Sequence, residues 1–409
     1  MLDKETIEKI VQKFVSDHFH SQNNHPYLMA LTTLLEQLYN QIMLSEREIF
    51  LQNLQESGKT KDKANGYYDR HLATSVGELS LSVPRVRSAQ FRPHLLLPPY
   101  QRTHPSYSEL LKALMSNGYS DAFLDSFFNS LNLPYSKAEL TKIKQDLMIK
   151  VEDFKNQQLP SELFALFIDA YHTRMKIKGR TKNICLYVIA AISNEGKKIP
   201  IGFYIIEGAE TKEKWLHILN DLINRGLNKV VLVVSDDFPG LISAFKTLFP
   251  KADHQICYVH LQRNVRKNMG KKDAKTFNYE LKKLRFASYD FETALNEFLA
   301  LCERYENKYP AFIGYLKQRA EHYLAFFKYP EQLRKFLYTT NLVENINRQI
   351  ERIRINLGGY FQSPEVLEIN VYLQFKRLEN GRWRKGVPEL KARQYELLQL
   401  FRQRYELQL

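Results

Sequence analysis

Apolar residues recur at helical spacing along residues 3–57, with Ile7, Ile10, Val11 and Phe14 on one face and a second segment through "LMALTTLLEQLYNQIML". Lysines, Gly58 and "NGYYDR" then break the pattern. "VGELSLSV", residues 76–83, alternates apolar and polar positions, which predicts a short half-buried strand or hairpin arm ended by Pro84. From Ser106 the helical period returns. "YSELLKALMSNG" stops at Gly118, read as a C-cap, and "DAFLDSFFNSL" follows after a short turn. "SKAELTKIKQDLMIKVEDF" then opens on a Ser136/Glu139 capping box, with Lys137, Lys142 and Lys144 on its first turns. Helix, Gly-containing turn, helix and a Lys-bearing helix are compatible with a helix-turn-helix unit; an ordinary packing bundle reads the same way.

The texture changes at Leu163. "LFALFIDAYHTRMKIKG", "NICLYVIAAISNEGK" and "KIPIGFYIIEGAE" are three closely spaced strand candidates joined by turn residues, which predicts an antiparallel meander. "TKEKWLHILNDLINRGL" is an amphipathic helix with a Thr cap and Gly226 near its end, and "NKVVLVVSDDF" is the continuous apolar run of a central parallel strand. "GLISAFKTLF" reads as a helix and "ADHQICYVHL" as another strand. Three meander strands followed by helix, strand, helix and strand is the order expected of a ribonuclease-H-like α/β core with a mixed sheet. Residues 261–338 are then almost wholly helical and interrupt that core before "TTNLVENINRQIERIR" at 339–354.

Composition narrows the class of partner. Apolar and charged fractions of 44% and 25% are ordinary for a globular protein, but 59 Lys and Arg against 45 Asp and Glu leave a formal charge of +14. Such an excess points to a polyanion, usually nucleic acid and less often an anionic membrane surface; a basic surface with no specific role is the alternative. Cys185, Cys257 and Cys302 are too few and too scattered for a disulfide framework, which fits a reducing compartment. The opening "MLDKETIEKI" lacks the apolar stretch of a signal peptide, and the longest apolar run, "CLYVIAAI" at 185–192, is far short of a membrane span. The expectation is a soluble, cytoplasmic protein.

Two acidic residues stand at the ends of apolar runs: Asp169 after "LFALFI" and Asp236 after "VVLVV". A carboxylate ending a buried strand is costly without a partner, a hydrogen bond or a cation. Each alone reads as a strand-end cap. Two on neighbouring strands point to a shared site for Mg²⁺, which prefers hard oxygen ligands. A third carboxylate from a facing helix would let two ions clamp attacking and leaving oxygens. Glu344 is open to two readings. It lies three residues after Asn341, so the pair makes a helix start with Asn341 as cap, or Glu344 is that third ligand.

"FIDAYHTRMK", "VVSDDFPGL", "CYVHLQRN" and "TTNLVENINRQIERIR" resemble, in order and approximate spacing, the bacterial Mutator-type insertion-sequence transposases, DDE enzymes with a ribonuclease-H-like core. "NGYYDRHLATSVGELSLSVPRVR" resembles the family's N-terminal module and "SNGYSDAFLDSFFNSLNLPYS" its helix-turn-helix segment. The resemblance implies Asp169, Asp236 and Glu344 as the catalytic and metal-holding triad, 67 and 108 residues apart, the second interval containing the helical stretch. It implies two Mg²⁺ ions, with Mn²⁺ as a substitute, double-stranded DNA as substrate (terminal inverted repeats and target), and a homodimer or higher oligomer. Asp237 competes with Asp236, but Ser235 and the Gly240-Leu241 pair set the register on Asp236. Where the family usually has a small residue and often His, this chain has Asp237 and Phe238.

The resulting organisation is an N-terminal helical region at 1–60, a DNA-binding module at 61–158, a core at 159–260 and 339–375, a helical insertion at 261–338 and a basic helical tail at 376–409. Lys137, Lys142, Arg263, Arg266, Lys267, Arg348 and Arg352 are candidates for phosphate contacts, or belong to solvated charged faces. Asn341, Asn347 and Arg348 share the Glu344 face, where they orient the carboxylate, touch DNA or simply meet water. Glu351 is two turns too far for the triad and pairs with Arg354 or Arg348 instead. Cys257 and His260 match the family's Cys-x-x-His element, which shapes the site or touches DNA; a buried structural His is the other reading, and no second Cys/His pair supports a zinc site. Trp215 matches a family aromatic, with core packing as its default explanation. The rival functions are a ribonuclease-H-like nuclease or resolvase without strand transfer, and a transposase-derived DNA-binding protein without catalysis.

Overall fold

The computed structural model describes residues 26–57, 62–99, 101–130, 136–208, 211–238 and 240–406. The predicted face of Ile7, Ile10, Val11 and Phe14 lies outside them, as does Gly58. The chain divides into two compact units, Met1–Asp146 and Leu147–Leu409.

In the first unit, helix α1 (Pro26–Glu56) packs on a two-stranded antiparallel sheet, β1 (Ala64–Thr74) and β2 (Gly77–Val86). The alternation in "VGELSLSV" turns Leu79, Leu81 and Val83 inward against Leu72 and Met43. "NGYYDR", which breaks the helical pattern, is the first half of β1. One expectation is corrected here: Pro84 does not end β2. Pro84 pairs opposite Tyr67 beside a register shift, and each strand of a two-stranded sheet keeps an open edge where a missing N–H is tolerated. Helices α2 (Pro105–Ser116), α3 (Asp121–Ser130) and α4 (Lys137–Asn156) follow, with Gly118 at φ 80° just past α2 as expected. The capping box is half formed. Ser136 Oγ accepts from Glu139 N at 3.1 Å, but the Glu139 carboxylate accepts from Ser108 Oγ at 2.8 Å. The Ser136 amide it would have served already donates to Tyr107 OH at 3.2 Å.

The second unit is built on a mixed five-stranded sheet in the order β5–β4–β3–β6–β7. Strands β3 (Glu162–Ile177), β4 (Arg180–Ile192) and β5 (Lys198–Glu207) form the antiparallel meander, while β6 (Lys229–Ser235) pairs parallel to β3 and to β7 (Asp253–Ile256). One face is covered by α5 (Lys212–Asn224) and α6 (Leu241–Leu248), whose Trp215, Ile218, Leu241 and Phe245 close on Leu166, Ile168, Ile189 and Val233. Thr211 caps α5 by accepting from Lys214 N. Gly240 precedes α6 at φ 78°, and a Cβ there would stand 2.8 Å from the Lys212 backbone, so only glycine permits this approach of α6 to α5.

The strand expected through "ADHQICYVHL" is only four residues long. Cys257 N donates to Ser235 O at 2.7 Å, but the next amide, of Tyr258, turns away to Tyr338 O at 2.8 Å. Helix α7 (Tyr258–Asn268) therefore starts at once, with Cys257 as its N-cap. Helices α8 (Lys271–Arg285), α9 (Phe291–Glu306) and α10 (Pro310–Gln318) and short α11 (Ala320–Leu324) and α12 (Glu331–Arg334) complete the helical stretch. Helix α13 (Asn341–Asn356) then lies against β3 and β4, and α14 (Pro364–Asn380) against β3 and β5. After α15 (Pro388–Lys391), α16 (Gln394–Tyr405) brings Tyr405 OH to both Val230 N (2.9 Å) and Val230 O (2.8 Å), on the part of β6 that β7 is too short to pair. All three cysteines are buried, and none of them forms a disulfide. No helix among the described residues is long and apolar enough to cross a membrane.

Candidate active site

Parallel pairing sets the first two carboxylates side by side. Phe167 on β3 aligns with Val234 on β6, and Asp169 and Asp236 each stand two residues further on, hence on the same face of adjacent strands. Asp169 is still inside β3, opposite Val188 of β4, and is only 6% exposed. Asp236 lies one residue past β6, where its Oδ1 accepts from Asp237 N at 2.8 Å. Ser235 just before it is held by His254 Nε2 at 2.7 Å from its Oγ.

Helix α13 closes over this edge. Asn347 Nδ2 donates to Asp169 Oδ2 at 2.8 Å, and Glu344, one turn earlier and 14% exposed, faces Arg263 of α7 with Oε1 2.8 Å from Nη2. The expected Asn341 cap is not formed. Thr340 is the N-cap residue and makes no side-chain cap bond, because its hydroxyl is buried against Cys257 Sγ at 3.5 Å; Asn341 is exposed. Glu344 therefore has no cap to complete, and it turns to Arg263. One face of α13 continues past the site. Glu351 binds Arg354 at 2.7 and 2.8 Å, one of the two pairings expected, and also accepts from Tyr171 OH. Tyr171, Arg174, Glu351 and Arg354 line an open cleft of about 600 Å³ beside Asp169 along β3.

Electrostatics set Asp169 apart. Burial pushes its carboxyl up, His260 and the Asn347 bond pull it back, and the charges of Glu344 and Asp236 push it up again, to about 7. Asp169 thus senses both of the other carboxylates. His260 sits one helical turn after Cys257, with Nδ1 3.5 Å from Asp236 Oδ1, too long for a hydrogen bond but close enough for charge attraction. Its Nε2 lies 2.7 Å from Arg263 Nη1, an arrangement that requires a neutral ring accepting from the guanidinium. Burial opposes charging this ring, whereas Cys257 and the carboxylates Asp236 and Asp169 push its pKa up to about 9. The pull of Cys257 and the carboxylates toward a charged ring and the 2.7 Å contact with Arg263 thus oppose one another at His260.

Asp237 points elsewhere. Its Oδ2 lies 2.6 Å from Arg319 Nε and accepts from Tyr315 OH, so it ties the end of β6 to α10 and the residue that follows it. Phe238 packs on Trp215, which is fully buried in the core as its default reading held. The Asp237 clamp was missed from sequence, since nothing in "SDDF" marks a partner some eighty residues away. The pairing of Arg263 with Glu344 was missed too; its signal is the spacing of three that puts Arg263 on the His260 face of α7. Of the remaining basic candidates, Lys137 and Lys142 are exposed on α4, Arg266 and Lys267 on α7, and Arg348 and Arg352 on α13, with Arg348 3.3 Å from Asn345 Oδ1.

Among the described residues no three His, Cys, Asp or Glu side chains stand as a closed metal-holding group. Glu344 is taken by Arg263 and one oxygen of Asp169 by Asn347. The donor chemistry nevertheless fits a hard divalent cation: three carboxylates share one edge, burial pushes the Asp169 carboxyl up to about 7, and Asn347 Oδ1 is buried without a partner.

Residues 6–385 match the family model described as Transposase, Mutator family. The chain is 26% identical over 377 residues to the transposase for insertion sequence element ISRM3 of Rhizobium meliloti, covering 92% of this chain and 93% of that protein. It is 27% identical over 344 residues to the transposase for insertion sequence element IS1201 of Lactobacillus helveticus, covering 83% and 92%. To the transposase for insertion sequence element IS256 in transposon Tn4001 of Staphylococcus aureus it is 27% identical over 357 residues, covering 86% and 88%.

Proposed function

The chain belongs to the Mutator family of transposases, and from that premise we propose that it is a DDE transposase of an insertion sequence, cutting transposon ends and joining the 3′-OH to target DNA by two-metal phosphoryl transfer. The observation that carries this reading is the placement of Asp169 on β3 and of Asp236 just past the end of the parallel strand β6, beneath the helix that bears Glu344. The sheet order β5–β4–β3–β6–β7 supports a ribonuclease-H-like core interrupted by a helical insertion.

Asp169, Asp236 and Glu344 would hold the Mg²⁺ ions, for which Mn²⁺ substitutes. Bound there, the cations would supply activation of the attacking oxygen and charge stabilisation on the leaving one. The chain's own residues prepare that site. Asn347 orients the Asp169 carboxylate, and Asp237, through Arg319 and Tyr315, anchors the backbone that presents Asp236. Arg263 holds Glu344 in place, and with 47% of its side chain exposed it is positioned to meet a DNA phosphate when Glu344 is otherwise engaged. Helices α2 to α4, with Lys137 and Lys142, are assigned to recognition of the terminal inverted repeats, and pairing of two ends calls for a homodimer or larger oligomer.

Mg²⁺, a labelled transposon-end duplex and a second duplex test the reading directly. Joining is expected, and Ala at Asp169, Asp236 or Glu344 should abolish it while sparing binding. Cleavage without joining would make the protein a nuclease or resolvase, and retained joining in any of the three variants would sink the triad.

A further inference from the structure

Helix α8 turns one face to the core and leaves the other open. Ala274, Phe277, Leu281 and Leu284 are buried, and at helical spacing they stand opposite a stripe of exposed Lys272, Lys275, Tyr279, Lys282, Lys283 and Phe286. The stripe is about 21 Å long, which matches the rise of about six base pairs. The two acids of this helix are already taken: Asp273 by Lys308 at 2.5 Å and Glu280 by Lys283 at 3.2 Å. Lys272, Lys275 and Lys282 therefore have no carboxylate of their own helix left to neutralise them.

Between the lysines stand two exposed rings, two helical turns apart. Tyr279 is 58% and Phe286 65% exposed, with Lys283 Nζ 4.5 Å from the Tyr279 ring centre and Arg285 4.4 Å from that of Phe286. A face kept only for solubility has no use for two such rings. A second copy of a chain carrying +14 would bring lysine against lysine. Phosphates and base faces, by contrast, match lysines and rings together. The face is also continuous with the acidic site: α7 carries Arg263 at Glu344 and then exposed Arg266 and Lys267, and α8 begins three residues after α7 ends.

Building on the transposase reading above, we propose that the outer face of α8 is a separate DNA-contact surface, its lysines on strand phosphates and Tyr279 and Phe286 stacked on unpaired bases. Binding of the full chain to a labelled oligonucleotide of arbitrary sequence, as single strand and as duplex, is followed by fluorescence anisotropy across a KCl series. Replacing Lys272, Lys275, Lys282 and Lys283 together by Gln should weaken both forms more than about tenfold and flatten the log–log salt slope by about 3. Tyr279→Ala with Phe286→Ala should weaken the single strand at least about tenfold and leave the duplex within about twofold. All six positions are exposed, so unchanged thermal melts are the folding control. An unchanged salt slope, or equal loss on both forms in the ring variant, overturns the proposal. A change in sedimentation on Lys replacement would assign the face to a second copy and overturn it too. Should the unaltered chain bind neither form, the transposase reading itself fails; should it bind and the variants match it, only this surface does.

Discussion

Asp169 and Asp253 are both nearly buried in the same sheet, and they meet opposite surroundings. Asp253, first residue of β7, is met by Arg404 Nη2 at 2.5 Å, Lys328 Nζ at 3.0 Å and Tyr329 OH at 3.0 Å. Burial alone would push its carboxyl up, but Arg404 and Lys328 outweigh it and hold the group below the usual range. Asp169 has one neutral donor, Asn347, and faces two further carboxylates; burial outweighs the opposing pull of His260 and Asn347, and its pKa rises to about 7. A buried acid supplied with the protein's own cations serves the fold. One left facing other acids weakens the fold, as expected of a group kept for chemistry rather than for stability.

The sharpest test of that contrast is activity. Asp169→Ala or Asp236→Ala should lower strand joining at least about a thousandfold. Asp253→Ala, assayed where it is still folded, should join at nearly the unaltered rate. Equal loss in all three would erase the distinction. Glu344→Gln comes next: it keeps the shape and a contact for Arg263 but removes a charge, and joining should fall about a hundredfold or more.

Stability should rank the two aspartates the other way. Asp253→Ala strands Arg404 and Lys328 and should cost about 2–4 kcal/mol in urea unfolding, whereas Asp169→Asn in the presence of chelator should be neutral or stabilising. Their pH dependences carry opposite signs. Asp169 has a folded pKa raised from 3.8 to about 7, so without metal the folded state holds the extra proton between these values. Its contribution therefore falls as pH rises from 4 to 7, by about 2–4 kcal/mol. The folded pKa of Asp253 is lowered, so its contribution is present above 3.8 and lost as pH falls through the folded value. Unfolding of the unaltered protein and of both variants in chelator across this range would show the two slopes, and slopes of one sign would break the comparison. The smallest effect is expected at Asp237→Asn, which weakens the Arg319 clamp: about 1–2 kcal/mol of stability and less than tenfold in joining.

Much of this was visible in the linear chain, for local reasons. The apolar runs "LFALFI" and "VVLVV" are long enough to identify central strands, and the polar residue that ends each run is then a marked position. Turn and cap residues worked where nothing competed for them, as at Thr211 and Gly118. They failed where a distant group did compete: Tyr107 for the Ser136 amide, Cys257 for the Thr340 hydroxyl. "NGYYDR" marked the end of the helical pattern but not the strand it begins, because exposed polar residues on an edge strand carry no hydrophobic period. Glu344 stood out from the other acids of its helix only through the family resemblance.

The sequence by itself determined the order of strands and helices, the excess positive charge, and the strand ends that carry Asp169 and Asp236, because each depends on neighbouring residues alone. Only the tertiary structure decided which acid is which kind. Asp253 looks no different from Asp169 until Arg404 and Lys328 arrive from 151 and 75 residues away, and Asp237 looks no different from Asp236 until Arg319 reaches it. The character of a buried carboxylate is set by the charges within a few ångströms of it, and the fold, not the chain order, chooses those.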